Sequence, residues 1–599
     1  MKKTLLAMSM MAAFAAQASE VEYRIDLTHP EHHTGDVSMT FPETKADHLD
    51  VKMAAWRTGL YHILDLASGV REFVATDDDG NPLRWEKVDK STWRIYLPEA
   101  TEVNVSYQLY ANELGRRSRH IDDSHAYLDA SAVFMYTDQY RQEEANVTLE
   151  VPPSWRSVSG LERTGEHAFS AENWDVLVDS PIETGINKVF DFEQGEQDYQ
   201  VVFWGHGNYD AEQTVADLKK MVAQASTIWE GYPFERYVFM IHATDGAGGA
   251  TEHKNSTVIQ RPRFSFAPHD EYLSFLSTAS HEFIHTWNVK AYRADGLVPY
   301  DYQKENYTDL LWMHEGSTSY FQDHLLLRAD IMKPTEYFDH LASAIQRHKH
   351  KPGAEVMSVA EASFESWIDQ YGDRARNYSV NIYSEGAIVS WMLDIALLQE
   401  TDGKVSYRDV HNALYQRFDA DKEGFNDADV LAILKDLTGK SWQTWWQQHV
   451  MQPVDVDFTK LLEPVGLKLS YGNSDDVEMR AWAGWSAKPA DNGMQLTLVE
   501  RNSPAWDAGF TPDDIIVAFN GIRVDDKRFK AALKEMQPGD EVTVTYFRRD
   551  QLAEKTLTLG KIPKNDAKVV PVDEPTAAQK ALFEQWLLIP YPGSEDSDK

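Results

Sequence analysis

Apolar and polar residues alternate along the first third of the chain. Val21 to Leu27 and Ser91 to Leu97 both follow a period of two, the pattern of half-buried strands. Asp79, Gly80, Asn81 and Pro82 supply a turn signal between such runs. Many short strands with turns between them predict an N-terminal β-sandwich over residues 19–181. From residue 182 the period changes. Val215, Leu218, Met221, Val222 and Ile228 fall at helical spacing between Asp210 and Glu230. Tyr237 to Ile241 is a continuous apolar run, the mark of a buried strand. Helical patterning dominates from His281 to about Met451, so residues 182–455 read as one mostly helical domain. Strand patterning returns after Val456, around Leu496 to Glu500 and Glu541 to Phe547, with a helix from Lys527 to Met536. A small β domain is therefore expected over 456–562. Beyond Lys561 the composition turns to Pro, Lys and Asp, and residues 563–599 read as linker and tail. Within them Ala581 to Ile589 can form one short docking helix around Phe583 and Trp586, and Gly593 to Lys599 is expected to be disordered.

A chain of 599 residues suits three or four domains, and 18 tryptophans give ample material for their cores. Lys+Arg number 58 against 95 Asp+Glu, a net charge of −37. That surface argues against nucleic acid and anionic membranes as partners. The N-terminus changes the picture further. Lys2 and Lys3 precede the apolar run Leu5 to Ala16, and Ala16-Gln17-Ala18 has the A-x-A form of an export cleavage site. We expect cleavage after Ala18 and a periplasmic or secreted bacterial protein. The run is too short to span a bilayer, and no later stretch is long and apolar enough to do so. With no cysteine, neither disulfides nor thiolate metal ligands are available.

The chemistry concentrates in His281-Glu282-Phe283-Ile284-His285, an H-E-x-x-H run. Two histidines four apart lie on one helical face, so both imidazoles can reach one ion. Glu282 then stands where a base can take a proton from water at that ion. A catalytic zinc needs a third protein ligand. The segment from Asp309 to Tyr320 offers His314 and Glu315, which point about 100° apart on a helix, and spacing alone does not choose between them.

These residues carry a resemblance. H-E-x-x-H followed by Leu311-Trp312-Met313-His314-Glu315-Gly316 resembles the gluzincin metallopeptidases. The longer run from His281 to Lys290 resembles the glycyl aminopeptidase family, number sixty-one of the metallopeptidases. The resemblance implies a thermolysin-like α+β, mostly α, catalytic domain and one zinc per chain, held by His281, His285 and Glu315. His314 becomes a neighbour of unknown role. Trp56 to Tyr61 resembles the family's W-x-P-G-x-Y segment, with threonine in place of proline. Gly249-Ala250-Thr251-Glu252-His253 resembles the G-A-M-E-N and G-G-L-E-H motifs. It implies that Glu252 binds the substrate's free amine, beside a backbone substrate loop of Gly248, Gly249 and Ala250. Tyr383-Ser384-Glu385-Gly386 resembles Y-x-K-G, with Glu385 where lysine is common, and implies that Tyr383 donates to the oxyanion. Tyr378 is its rival.

In the last domain Ser503 to Phe510 and Asp513 to Gly521 resemble bacterial PDZ domains. Such domains add an extended peptide to a sheet edge and hold its terminal carboxylate in a backbone loop. Gly466 and Leu467 are the expected loop. The whole implies a zinc aminopeptidase that removes N-terminal glycine, and less readily alanine, from peptides with a free N-terminus, with peptide C-termini as PDZ ligands. An endopeptidase with the same site, or a peptide-binding PDZ adaptor with a vestigial one, are the rival readings.

Overall fold

A computed structural model of the chain describes residues 20–368, 371–471, 480–564 and 566–593. The expected export signal and most of the expected disordered tail lie outside them. The described residues form two compact units. One holds 20–57 and Leu64–Asn187, the other Thr58–Ile63 and 188–593.

The first unit is built of sheets, as the period of two predicts. Val21–Asp26 buries every other residue, and its neighbours in a seven-stranded sheet are Thr34–Thr44, antiparallel, and Ala145–Glu150, parallel. A four-stranded and a three-stranded sheet complete the unit, the latter pairing Thr92–Tyr96 with His48–Lys52. Tyr23, Ile25, Met39, Phe41, Val105 and Tyr107 are buried.

The second unit opens with a five-stranded sheet in the order Asn187–Gln194, Gln197–Trp204, Arg236–Ala243, Ser256–Arg261, Gly249–Glu252. Its middle three strands are parallel. Being covered on both faces, Arg236–Ala243 is buried from Tyr237 to Ala243, which explains its unbroken apolar run. The last strand, Gly249–Glu252, turns back antiparallel to Ser256–Arg261 and forms the sheet's edge. The expected helix from Asp210 is realised as Ala211–Val222, with Asp210 as its N-cap, followed by the 3-10 turn Ala223–Thr227. The helices His269–Ile284, Ser317–Arg328, Pro334–Lys349 and Ile382–Glu400 bury their apolar sides in one continuous core with the sheet.

The small β domain has a sheet of Trp485–Ala490, Gly493–Val499, Ile515–Phe519, Glu541–Arg548 and Gln551–Thr558, with Ile522–Arg523 beside it and the helix Asp526–Glu535. It has its own core around Leu496, Phe510, Ile516 and Val544. Asn377, fully buried, joins it to the helical body. The Asn377 amide donates to the carbonyl of Val499 at 2.8 Å and accepts from the Arg501 N–H at 2.9 Å.

The chain after this domain differs from a linker. Ala567–Pro571 pairs antiparallel with Leu467–Tyr471, and Ala577–Leu587 is a helix with a Thr576/Gln579 capping box. Phe583, Trp586 and Leu587 are buried in the helical body's core. The Trp586 ring stacks on Trp391, with centroids 6.2 Å apart, and its Nε1–H donates to the Tyr320 hydroxyl at 2.6 Å. Polar composition suggested a linker because each piece is short and its apolar partners lie far away in sequence.

Candidate functional site

The site grows from the C-terminal turn of the helix His269–Ile284. His281, His285 and Glu315 converge there. The two Nε2 atoms lie 3.1 Å apart, and Glu315 Oε2 is 3.2 Å from His285 Nε2 and 3.7 Å from His281 Nε2. Each imidazole is oriented by its other nitrogen. His281 Nδ1–H donates to Gln322 Oε1 at 2.9 Å, and His285 Nδ1–H donates to the Asn288 carbonyl at 2.9 Å. Both Nε2 lone pairs therefore face the Glu315 carboxylate, which is the arrangement that ligating histidines adopt. Two imidazoles and a carboxylate at this spacing fit a divalent ion of zinc's preferences.

Glu315 reaches this point from a π-helical turn, Trp312–Gly316, that runs into the helix Ser317–Arg328. Such single turns widen a helix locally and occur often at functional positions. Close contact with the helix Ile382–Glu400 sets its position. A Cβ on Gly316 would stand 2.4 Å from the Cα of Gly386, so only glycine allows the two backbones to touch. The same contact carries Tyr383, one turn earlier, to the site. Its ring lies 5.9 Å from that of His281, and desolvation of its hydroxyl end together with the Glu315, Glu252 and Glu282 carboxylates holds its proton on. Both tyrosines are partly open to solvent, Tyr383 at 37% and Tyr378 at 45%, and Tyr378 packs near Trp506 of the small β domain.

Glu282 is buried, and its Oε2 has no hydrogen-bond partner among the described residues. Burial first, then the neighbouring Glu252 and Glu315 charges, push its carboxyl up to about 7 against the pull of His281 and His285. An acceptor poised near neutrality suits proton transfer. Glu315 is held low by His285 and His281 despite its burial, which keeps it the anion a metal requires.

Glu252 is buried at the end of the edge strand. Gly59 lies against it at φ 75°, and a Cβ there would come within 2.6 Å of Glu252 Oε2. Two residues on, the Tyr61 hydroxyl donates to Glu315 Oε1 at 3.1 Å. Gly248, Gly249 and Ala250 lie before Glu252, the last two on the edge strand itself.

His314 is turned to other work. Its Nε2 accepts from the Ala294 N–H at 3.1 Å and its Nδ1–H donates to Asn288 Oδ1 at 3.0 Å. Burial drives its pKa down to about 3, so it is a neutral packing residue. Asn288 is the hub of the shell, since its amide also donates to the carbonyls of Met313 and His314 and to Thr318 Oγ1.

Comparison with known proteins then bears on identity. Residues 22–186 match the Peptidase M61 N-terminal domain and residues 274–389 match M61 glycyl aminopeptidase. The chain thus carries both domains of the M61 glycyl aminopeptidase family over those residues. It is a metallo-aminopeptidase, and residues 483–559 match a PDZ domain. A crystal structure of an aminopeptidase N family protein from Idiomarina loihiensis is 26% identical with TM-score 0.85, covering 95% of this chain and 100% of that chain. An M1 zinc metallopeptidase from Deinococcus radiodurans is 14% identical with TM-score 0.47, covering 74% of this chain and 95% of that one. A probable periplasmic serine endoprotease DegP-like of Chlamydia muridarum is 30% identical over 106 residues, 16% of this chain. The chain spans about a fifth of the length of such curated relatives.

The expected PDZ carboxylate loop lies outside the matched PDZ segment. Gly466 and Leu467 precede the matched segment. Gly466 takes φ 68° after a 3-10 turn, its carbonyl accepts from the Tyr591 hydroxyl at 2.6 Å, and Leu467 is buried in the helical body's core. Their partner is the tail, through the pairing of Leu467 with Pro571. Glu385, in place of a common lysine, is buried and bonded to His348 Nδ1 at 2.9 Å. Sequence reasoning missed the contacts of Gly59, Tyr61, Asn288 and Gln322. The W-x-x-G-x-Y segment and the asparagine that follows H-E-x-x-H-T-W were the available signals.

Proposed function

We propose that this metallo-aminopeptidase uses one zinc, held by His281, His285 and Glu315, to release N-terminal glycine, and less readily alanine, from peptides in the periplasm or outside the cell. Bound there, the ion supplies Lewis acidity that polarises the scissile carbonyl and acidifies water. Glu282 takes the proton of the attacking water and passes it to the leaving amine. Tyr383, protonated and neutral, donates to the developing oxyanion without bringing charge into the site. The strand Gly249–Glu252 ends the sheet, where an extended peptide can lie alongside it, with Gly248, Gly249 and Ala250 as the proposed backbone contacts.

The observation that carries the exopeptidase reading is the buried Glu252 carboxylate, within electrostatic reach of both Glu282 and His285. A second buried acid beside a base raises the cost of both charges. A substrate ammonium relieves that cost, and only a chain end brings one. The periplasmic placement draws support from the expected export signal and from the likeness to probable periplasmic DegP-like proteases. No helix among the described residues is long and apolar enough to cross a membrane. The PDZ domain (residues 456–562 as read from sequence, 483–559 by its match) is proposed to take peptide C-termini.

Kinetics on a panel of aminoacyl chromogenic substrates, free and N-acetylated, test the reading. Zinc-loaded enzyme should cleave the free glycyl compound best and spare acetylated ones. Faster cleavage of blocked substrates would replace it with an endopeptidase.

A further inference from the structure

Beside the site lies a cavity of about 360 Å³ that the proposed reaction leaves unused. Its walls include Leu60, Tyr61, Met357, Val380, Ile382 and Tyr383. It lies on the amine side of the site, because Leu60 and Tyr61 directly follow Gly59, the residue pressed against Glu252. The side chain of a substrate's first residue projects on that side. Its volume falls in the ~300–1,000 Å³ range typical of ligand sites, far more than a glycine needs.

Tyr61 explains why such space goes unfilled. Its hydroxyl points to Glu315 at 3.1 Å while its ring forms part of the cavity wall. The ring is therefore a partition between the metal ligands and the cavity. It is braced on both sides: Trp367 meets it edge-on, with centroids 5.9 Å apart, and the hydroxyl is tied to a ligand that cannot move without disturbing the ion. A partition tied in this way cannot swing aside for a larger substrate at low cost.

We infer that Tyr61 is the specificity-determining residue of the enzyme: its ring closes the cavity to the substrate's first side chain and so confines the enzyme to glycine and alanine. This rests on the aminopeptidase reading above and adds its size limit. The cavity behind the ring has an apolar wall of Met357, Val380 and Ile382 facing polar groups that include Lys351 and Glu365, and once opened that apolar wall would suit an unbranched or γ-branched apolar side chain. Methionyl and leucyl substrates are the class it would take.

The test compares kcat/KM for glycyl, alanyl, leucyl and methionyl chromogenic substrates on full-length, metal-loaded wild type, Tyr61→Ala, Tyr61→Val and Tyr61→Phe. Opening a pocket to added methylenes changes discrimination by roughly 10–200-fold each. The leucyl-to-glycyl ratio should rise by at least the lower figure in Tyr61→Ala and by less in Tyr61→Val. Tyr61→Phe keeps the ring and loses only the hydrogen bond, so its ratio should stay at the wild-type value even where its rates fall. Dividing rates on the same preparation removes any common loss from weaker metal binding. A ratio unchanged in both Tyr61→Ala and Tyr61→Val overturns the proposal, as does an equal rise in Tyr61→Phe. Wild type that cleaves leucyl and glycyl substrates equally also overturns it and leaves the aminopeptidase reading standing. Cleavage of N-blocked peptides alone would overturn both.

Discussion

The Tyr61 hydroxyl donates to Glu315 Oε1, so a residue 254 positions earlier in the chain orients the carboxylate proposed as the third metal ligand. Removing the hydroxyl frees one oxygen of that carboxylate. Tyr61→Phe should weaken zinc binding by about 10–100-fold, the usual loss when a ligand's supporting partner is removed. Competition against a chelator of known affinity reads this directly. Unchanged affinity would mean that Tyr61 does not orient Glu315.

Glu282 belongs to no ligand pair, and its Oε2 lacks a partner among the described residues. Glu282→Gln should keep the metal at wild-type stoichiometry. Its kcat should fall by at least the ~10²–10⁴-fold that general acid–base catalysis contributes. Elemental analysis paired with turnover decides it, and a fully loaded variant with near-normal kcat would sink the proton-transfer role.

Glu252→Ala removes the charge proposed to meet the substrate amine. A charge-assisted hydrogen bond of roughly 1.5–3 kcal/mol corresponds to about one to two decades in kcat/KM. The loss should appear on free glycyl substrates and be nearly absent on acetylated ones. Gly59→Ala should act in the same direction, because its Cβ would collide with the Glu252 carboxylate. Equal losses on free and acetylated substrates would remove Glu252 from the amine site.

The tail matters to stability more than the PDZ domain does. Truncation of the buried Trp586 to alanine should cost about 3–5 kcal/mol. A chain ended at Lys460 should fail to fold, since it lacks the strand Leu467–Tyr471, its partner Ala567–Pro571 and the helix Ala577–Leu587. An internal excision is different. Tyr471 and Ala567 are directly paired, so a two-residue Asn-Gly turn can join them. That variant should fold and bind metal, with glycyl hydrolysis reduced because Asn377 loses its partners six residues before Tyr383. Circular dichroism melts and zinc content of the two deletions should therefore diverge, and equal behaviour would refute the distinction.

Acid should destabilise the helical body through His411. Burial presses its pKa down to about 3, against about 6.5 in an unfolded chain, and its Nδ1 accepts from the Tyr292 hydroxyl at 2.8 Å. The unfolded state takes up the proton first. The contribution is thus complete above pH 6.5 and is lost progressively as pH falls toward 3. Urea midpoints should drop between pH 7 and 5, and His411→Gln should flatten that slope while being less stable at pH 7. An unaltered slope would assign the acid sensitivity elsewhere.

Local motifs were legible in the sequence, and tertiary partners were not. His281 and His285 are four residues apart on one helix, so spacing alone specified their shared face. Glu315 needed the family resemblance, because the π turn that presents it has no signature apart from Gly316, whose need is set by Gly386 seventy residues later. The strands Val21–Asp26 and Arg236–Ala243 showed their burial in their periodicity. Gly466 and Leu467 were misassigned because a glycine followed by an apolar residue marks many loops, and only the distant pairing with Pro571 reveals this one's place. Tyr61 showed only as the end of a family-like W-x-x-G-x-Y segment, because nothing local to it points at a metal ligand.

The pairing of Leu467–Tyr471 with Ala567–Pro571 makes the PDZ domain an insertion within the peptidase body. A growing chain presents its residues from the N-terminus. All three proposed metal ligands are therefore synthesised long before Trp586, which covers Tyr320 and Trp391. An incomplete chain possesses every proposed catalytic group and still lacks the helix Ala577–Leu587. Assembly of a competent peptidase thus waits for a segment made after the PDZ domain, and the intervening module sets the length of that delay.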